Sequence, residues 1–243
     1  MTAVTRDSIS LRGAGVVSVF QPNKGARFTL DSLLLADFCR IKPHDRVLEP
    51  GAGSGIISLL LAQKHPRSSI VAVEVQPAAA KLCRENITAN GLDEHITLLE
   101  QDIMKLKKIL KPATFDVIVA NPPYTRTGAG KQSPLLERLH ARHDRLGDLA
   151  AWLNLHLFLK NKGRFVVVFP CDRLAELITG LRVRGLEPKR MRLVHPYRDR
   201  PSSLILIEAV KSAGAGLEVM PPLVVHETNG RYTEEMRRIY DLP

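Results

Sequence analysis

From Arg46 onward the sequence alternates short apolar runs with stretches of helical periodicity, and this alternation constrains the fold more than any other feature. Arg46–Leu48 runs into a glycine loop, and Ile56–Gln63 then reads as a helix. Ile70–Val75 reads as a strand. Pro77 suits a first helical turn, and Ala78–Ala89 carries that helix to the stop signal Asn90-Gly91. Ile96–Leu99 and Phe115–Ala120 are further strands. Leu135–Lys160 contains helical periodicity that stops at Asn161-Lys162-Gly163, before a strand at Phe165–Phe169 and a helix at Asp172–Arg184. The expectation is an α/β, Rossmann-like, mostly parallel seven-stranded sheet with helices on both faces. Arg190–His195 and Ser203–Val210 have no helix between them and predict a terminal antiparallel hairpin. Residues 8–30 predict a small N-terminal β-hairpin, with turns at Gly13–Gly15 and Asn23–Gly25, ahead of a helix at Asp31–Cys39. The expected division is a hairpin appendage over 1–30, the main domain over 31–211, and a tail over 212–243 packed on that domain. The tail holds a Gly/Ala linker, Ser212–Gly216, and a short helix candidate, Thr233–Tyr240.

With 44% hydrophobic and 25% charged residues, a disordered or fibrous chain is excluded. A length of 243 residues allows a sizeable core. Lys and Arg exceed Asp and Glu by 10, which favours a polyanionic partner, nucleic acid before a membrane surface. Cys39, Cys83 and Cys171 form no CxxC, so neither a disulfide framework nor a cysteine zinc site is expected, and a reducing cytoplasm fits. Met1–Arg12 lacks the apolar stretch of a secretory signal. The longest apolar runs, such as Ile57–Ala62, fall far short of the ~20 residues a membrane span needs. His140 and His143 have no neighbouring carboxylate or cysteine to complete a metal set, so they read as surface histidines and no metal is expected. A cytoplasmic monomer without membrane attachment is the expectation.

The glycine loop reads Glu49-Pro50-Gly51-Ala52-Gly53-Ser54-Gly55. Glycines let the backbone turn sharply and let a ligand approach without meeting a Cβ. The dinucleotide pattern GxGxxG fails here, because the third glycine comes one residue early and position 56 is Ile. An acid at the strand end followed by GxGxG instead resembles the first motif of class I methyltransferases that use S-adenosylmethionine. Glu74 ends the next strand, where a carboxylate accepts hydrogen bonds from both ribose hydroxyls. Asp102 follows the third strand and suits the exocyclic amine of an adenine, with Val75 and Ile103 flanking that ring. Each acid alone is an ordinary strand-end acid; three at successive strand ends point to a cofactor site that includes Glu49, Pro50, Gly51, Gly53 and Gly55.

Asn121-Pro122-Pro123-Tyr124 follows the strand Phe115–Ala120. Two consecutive prolines stiffen the chain and remove two N–H donors, so the exposed carbonyls act as acceptors only. The side-chain oxygen of Asn121 and the carbonyl of Pro122 then suit the two donors of a planar –NH2 group, and Tyr124 suits stacking on its ring. An aromatic amine is a poor nucleophile because its lone pair is delocalised. Two acceptors favour its rehybridisation and stabilise the positive charge that develops during attack. The tetrapeptide resembles the catalytic motif of amino methyltransferases acting on adenine-N6, cytosine-N4, guanine-N2 or the glutamine of release factors. It specifies a planar amine without choosing among them.

Several flanking segments extend the resemblance. Gln21–Phe38 contains Arg27-Phe28-Thr29-Leu30-Asp31, in which Thr29 or Asp31 suits a helix cap. Ala141-Arg142-His143-Asp144 follows a Gly/Lys/Ser loop, His195-Pro196 leads into Ser202–Ala209, and Pro222–Tyr240 closes the chain. Together these are similar to the bacterial adenine-N6 methyltransferases of valine tRNA. That resemblance implies contact of Phe28, Thr29, Asp31 and Asn121 with the cofactor, and methylation of the adenine on the 3′ side of the anticodon. A release-factor glutamine methyltransferase, a ribosomal-RNA guanine-N2 methyltransferase and a catalytically silent RNA-binding protein are the alternatives. The release-factor enzymes carry a helical domain ahead of the cofactor motif, for which the ~45 residues here leave little room. Arg182–Arg200 holds seven cations (Arg182, Arg184, Lys189, Arg190, Arg192, Arg198 and Arg200) against two acids, and predicts an RNA phosphate track. Arg126, Lys131, Arg138, Arg142 and Arg145 are expected to extend it.

Overall fold

The computed structural model describes residues 4–22, 29–123 and 149–242. A separate two-stranded antiparallel sheet comes first, β1 (Val4–Leu11) against β2 (Gly15–Pro22). Next follow α1 (Leu30–Phe38), β3 (Arg46–Pro50), α2 (Ile56–Lys64), β4 (Ser69–Glu74), α3 (Pro77–Ala89), β5 (Ile96–Glu100) and β6 (Phe115–Ala120). From Leu149 come α4 (Leu149–Leu153), β7 (Leu159–Pro170), α5 (Leu174–Val183), β8 (Leu186–Tyr197) and β9 (Leu204–Lys211). The tail adds β10 (Glu218–Val219), β11 (Leu223–His226) and α6 (Glu234–Ile239). Among the described residues no helix is long and apolar enough to cross a membrane.

The large sheet runs β5-β4-β3-β6-β7-β9-β8, with β10 and β11 both on the outer side of β8. Among the described residues only β9 opposes its neighbours; the other pairings within this sheet are parallel. Among the described residues the expected count of seven strands is corrected to nine. The two additional strands come from the tail: β10 pairs with Arg190 and Met191, and β11 pairs along Val194–Tyr197. Such short runs carry no periodicity, yet they satisfy the outward N–H and C=O groups of β8.

Apolar residues at successive positions face opposite sides of a strand, so a strand that is apolar throughout needs cover on both. Val117 and Val119 of β6 join the core under α1, α2 and the β1–β2 pair, whereas Ile118 and Ala120 join the core under α4 and α5. The helix expected to run to Lys160 stops earlier. A 3₁₀ turn spans Asn154–Phe158 and β7 begins at Leu159. The register of β6 on β7 jumps from Phe115↔Leu159 to Val117↔Arg164, and Lys162 has φ 60°. Asn161-Lys162-Gly163 therefore mark an irregularity inside a strand rather than a helix stop.

Asn86 on α3 and Asn90 at its C-cap, one helical turn apart, hold β2 in place. Asn86 Oδ1 accepts from the Phe20 N–H at 2.6 Å, and its Nδ2 donates to the Phe20 carbonyl at 3.0 Å. Asn90 makes the same pair of bonds to Ser18, at 3.0 and 2.7 Å. Asn86 is fully buried, and its Nδ2 also donates to the Ser54 carbonyl at 2.9 Å. One amide thus ties the hairpin to the glycine loop.

Candidate active site

The chain crosses from one half of the sheet to the other between β3 and β6, which pair side by side at Leu48↔Ile118. Two residues further on, both strands end, at Pro50 and at Ala120. A crevice at the carboxyl ends of the strands, where the strand order reverses, is where open α/β sheets take ligands. The glycine loop and Asn121 meet the molecule's exterior there.

All three loop glycines are left-handed, with φ of 67° at Gly51, 57° at Gly53 and 88° at Gly55, a conformation that side chains disfavour. Their surroundings differ. A Cβ on Gly51 would lie 2.6 Å from the Trp152 ring, and one on Gly55 would lie 2.7 Å from Cys83 Sγ. A Cβ on Gly53 would meet nothing within 4 Å. A side chain at Gly51 or Gly55 would therefore collide with Trp152 or Cys83, whereas Gly53 has free space at its Cβ position.

The three strand-end acids occupy three environments. Glu49 is buried, and its Oε2 accepts from the Ser58 N–H at 2.9 Å and from the Ser58 hydroxyl. Burial pushes its carboxyl up to about 8, opposed by the Ser58 hydrogen bonds and reinforced by the nearby Glu74. Glu74 takes the Gly53 N–H on Oε2 and the Gln76 N–H on Oε1, both at 2.8 Å. It braces the open glycine directly. Asp102 begins the 3₁₀ turn Ile103–Lys108, its Oδ1 accepting from the Met104 N–H at 2.8 Å. Beside these acids Val75 is 38% exposed while Ile103 is buried, so Val75 is the apolar surface open to a ligand.

Asn121 Nδ2 donates to Ser32 Oγ on α1 at 3.1 Å. Pro122 is buried and Pro123 exposed. Tyr124 and Phe28 lie outside the described residues, as do His140, His143, Arg126, Lys131, Arg138, Arg142 and Arg145. Thr29 occupies the N-cap of α1 in extended backbone, but its side chain makes no capping hydrogen bond, which corrects the expected cap; Asp31 sits in the first turn. Sequence reading missed Ser32, Ser58, Cys83, Asn86 and Trp152. A lone serine, asparagine or tryptophan within a helical run carries no signal of what lies opposite it.

Within the expected phosphate track, the structure corrects Arg190. Arg190 is buried: Nη2 donates to the Phe38 carbonyl at 2.6 Å, pairs with Glu208 at 3.4 Å, and the guanidinium lies 4.0 Å from the Phe38 ring centroid. Arg192 is held by Glu235 at 2.7 and 2.8 Å. Arg182 pairs with Glu187 at 3.1 Å, Arg184 bonds Asn154 at 2.9 Å, and Lys189 donates to the carbonyls of Gly214 and Ala215. Arg198 and Arg200, on the turn between β8 and β9, are exposed.

Residues 11–147, which contain the glycine loop and Asn121-Pro122-Pro123-Tyr124, match the methyltransferase small domain family. The chain belongs to that family. Among curated relatives of this methyltransferase, a Vibrio campbellii protein is 26% identical over 91% of this chain and 90% of its own. One from Shewanella amazonensis is 30% identical over 87% and 89%. Both are named tRNA1(Val) (adenine(37)-N6)-methyltransferase. Among solved structures, a predicted O-methyltransferase from Agrobacterium tumefaciens superposes with a TM-score of 0.69 at 21% identity, covering 87% of this methyltransferase and 96% of that chain, a likeness of fold.

Proposed function

We propose that this protein is an S-adenosylmethionine-dependent methyltransferase that modifies the N6 amine of an adenine in tRNA, the adenine 3′ of the anticodon in valine tRNA. The observation that carries the reading is the meeting, at one reversal of the sheet, of an open glycine loop braced by Glu74 with an Asn-Pro-Pro acceptor edge. The names of the relatives support tRNA adenine-N6 as the target.

The residues present fit the cofactor. Gly53 leaves room for close approach, Glu74 offers a carboxylate to ribose hydroxyls, Asp102 to an adenine amine, and Val75 an exposed apolar wall. Glu49, Pro50, Gly51 and Gly55 shape that loop, and Ile103, Thr29, Asp31 and Phe28 complete the proposed contact set. When bound, S-adenosylmethionine supplies an electrophilic methyl group. The protein's part is to orient the amine and stabilise its charge: Asn121 Oδ1 and the Pro122 carbonyl each accept one N–H of the target, and Tyr124 stacks on the base. As positive charge grows on the nitrogen these fixed dipoles stabilise it, and they need no reorganisation at that moment. The fixed position of the amine supplies much of the remaining acceleration.

We assign RNA phosphates to Arg198 and Arg200, with Arg182, Arg184 and Lys189 toward the opposite end of β8, in a cytoplasmic monomer. Labelled-methyl transfer to total tRNA and rRNA, followed by nucleoside digestion, tests the reading. N6-methyladenine in valine tRNA is expected, and Asn121→Ala should lower its formation by ~10²–10³ while largely sparing cofactor binding. Methylation of guanine in rRNA, or of a release-factor glutamine with none of tRNA, would replace the substrate assignment.

A further inference from the structure

A carboxamide presents an acceptor oxygen and a donor –NH2 of nearly equal shape, so packing barely distinguishes its two orientations; hydrogen bonds do. For the reaction only one orientation works. With Oδ1 toward the target amine, Asn121 accepts an N–H. Turned by 180°, it sets its own N–H against that of the base and offers no acceptor.

Ser32 lies inside α1, is 5% exposed, and its Oγ stands 3.1 Å from Asn121 Nδ2 as the acceptor of that bond. A serine hydroxyl oxygen carries two acceptor lone pairs, and the Asn121 N–H takes one of them. We infer that Ser32 is a positioning residue for methyl transfer: by holding Nδ2 it turns Asn121 Oδ1 toward the target amine. This rests on the assignment of Asn121 as the acceptor. Ser32 touches neither cofactor nor base in this scheme. It acts by keeping the productive rotamer populated, so its loss removes a fraction of the molecules from turnover instead of weakening any contact with substrate.

The test is steady-state and single-turnover kinetics of the full-length protein on unmodified valine tRNA. Ser32→Ala should lower kcat by about two- to tenfold, the span one neutral hydrogen bond supplies. The KM for tRNA and the affinity for S-adenosylmethionine should stay as they are. Ser32→Thr, which keeps the hydroxyl, should restore kcat. In an Asn121→Asp background the two side-chain oxygens are alike, so Ser32→Ala should change the rate less than about twofold. If Ser32→Ala destabilises α1, Ser32→Cys repeats the test with similar volume and a weak acceptor. An unchanged kcat, a loss that Ser32→Thr does not restore, or an equal loss in the Asn121→Asp background overturns the role of Ser32. Normal transfer by Asn121→Ala removes the assignment beneath it, and the two failures are thereby told apart.

Discussion

The carboxyl ends of β3 to β5 and the segment Arg182–Arg200 both look, in sequence, like places where charge has gathered for a ligand. They differ in what the fold does with that charge. On the cofactor side Glu49, Glu74 and Asp102 are each engaged by backbone N–H groups, and the bond from Gly53 to Glu74 braces the glycine loop. In the basic segment the same kind of engagement draws Arg190 into the core and clamps Arg192 to Glu235, while Arg198 and Arg200 stay in water. Engagement by backbone N–H groups fixes the acids at the carboxyl ends of the strands, and engagement by Phe38 and Glu208 withdraws Arg190 from the surface.

The largest effect expected to test this contrast is on stability. Arg190→Ala leaves Glu208 buried without its cation and should cost about 3–5 kcal/mol in urea denaturation, while tRNA affinity of the folded protein holds. A stable variant that had lost tRNA binding would return Arg190 to the phosphate track. Next, Glu74→Ala should weaken S-adenosylmethionine binding by about a hundredfold or more, since two hydrogen bonds to a charged group are lost, each worth about 1.5–3 kcal/mol. Calorimetry showing full affinity would take Glu74 out of the site.

Glu49 sharpens the comparison through pH. Its carboxyl is displaced upward in the folded protein, from an ordinary 4.5 to about 8, so the folded state binds the proton more tightly than the unfolded chain. The stabilisation is complete below the ordinary value and is lost as pH rises through about 8. Glu49→Gln keeps an acceptor for Ser58 and removes the charge. Its Tm should therefore stay level between pH 5 and 9 where the parent falls, with a gap of roughly 2–4 °C for each kcal/mol lost. A parent Tm that rose across that range would place an ionised carboxylate on Glu49. The smallest effect belongs to the exposed pair: Arg198→Glu with Arg200→Glu should flatten the salt dependence of tRNA binding by about two contacts, near 0.9 in slope for each. Tm and cofactor affinity should not move.

The strands and helices around the glycine loop were legible because their short apolar runs alternate with helical stretches and are punctuated by glycine or proline at Gly51, Gly55, Pro77 and Gly91. Pro77 does start α3, and Gly51, Gly53 and Gly55 all need the left-handed backbone their identity allows. What the sequence hides is partnership. Nothing in Glu49 as a letter tells that Ser58 will enclose it, or that Ser32 faces Asn121 from 89 residues away. The seven cations of Arg182–Arg200 are visible as a count, but burial divides them, and burial is set by Phe38 and Glu208 from distant elements. Asn161-Lys162-Gly163 misled for a related reason: turn residues mark a break in regular backbone, and an interruption within a strand uses the same residues as a helix end.

The tail strands β10 and β11 bear on how this chain behaves among its own copies. β8 is 12 residues long, and its outer side is a row of hydrogen-bonding groups that another β-strand of any origin can match. Two brief strands parted by Pro221 and Pro222 occupy that row, and neither is long or regular enough to recruit a third molecule in turn. Because β8 precedes the residues that shield it, a ribosome releases the sticky strand before its cover. The interval between Tyr197 and His226 is therefore when aggregation threatens most, and a chain cut short after Lys211 would stay in that hazard permanently.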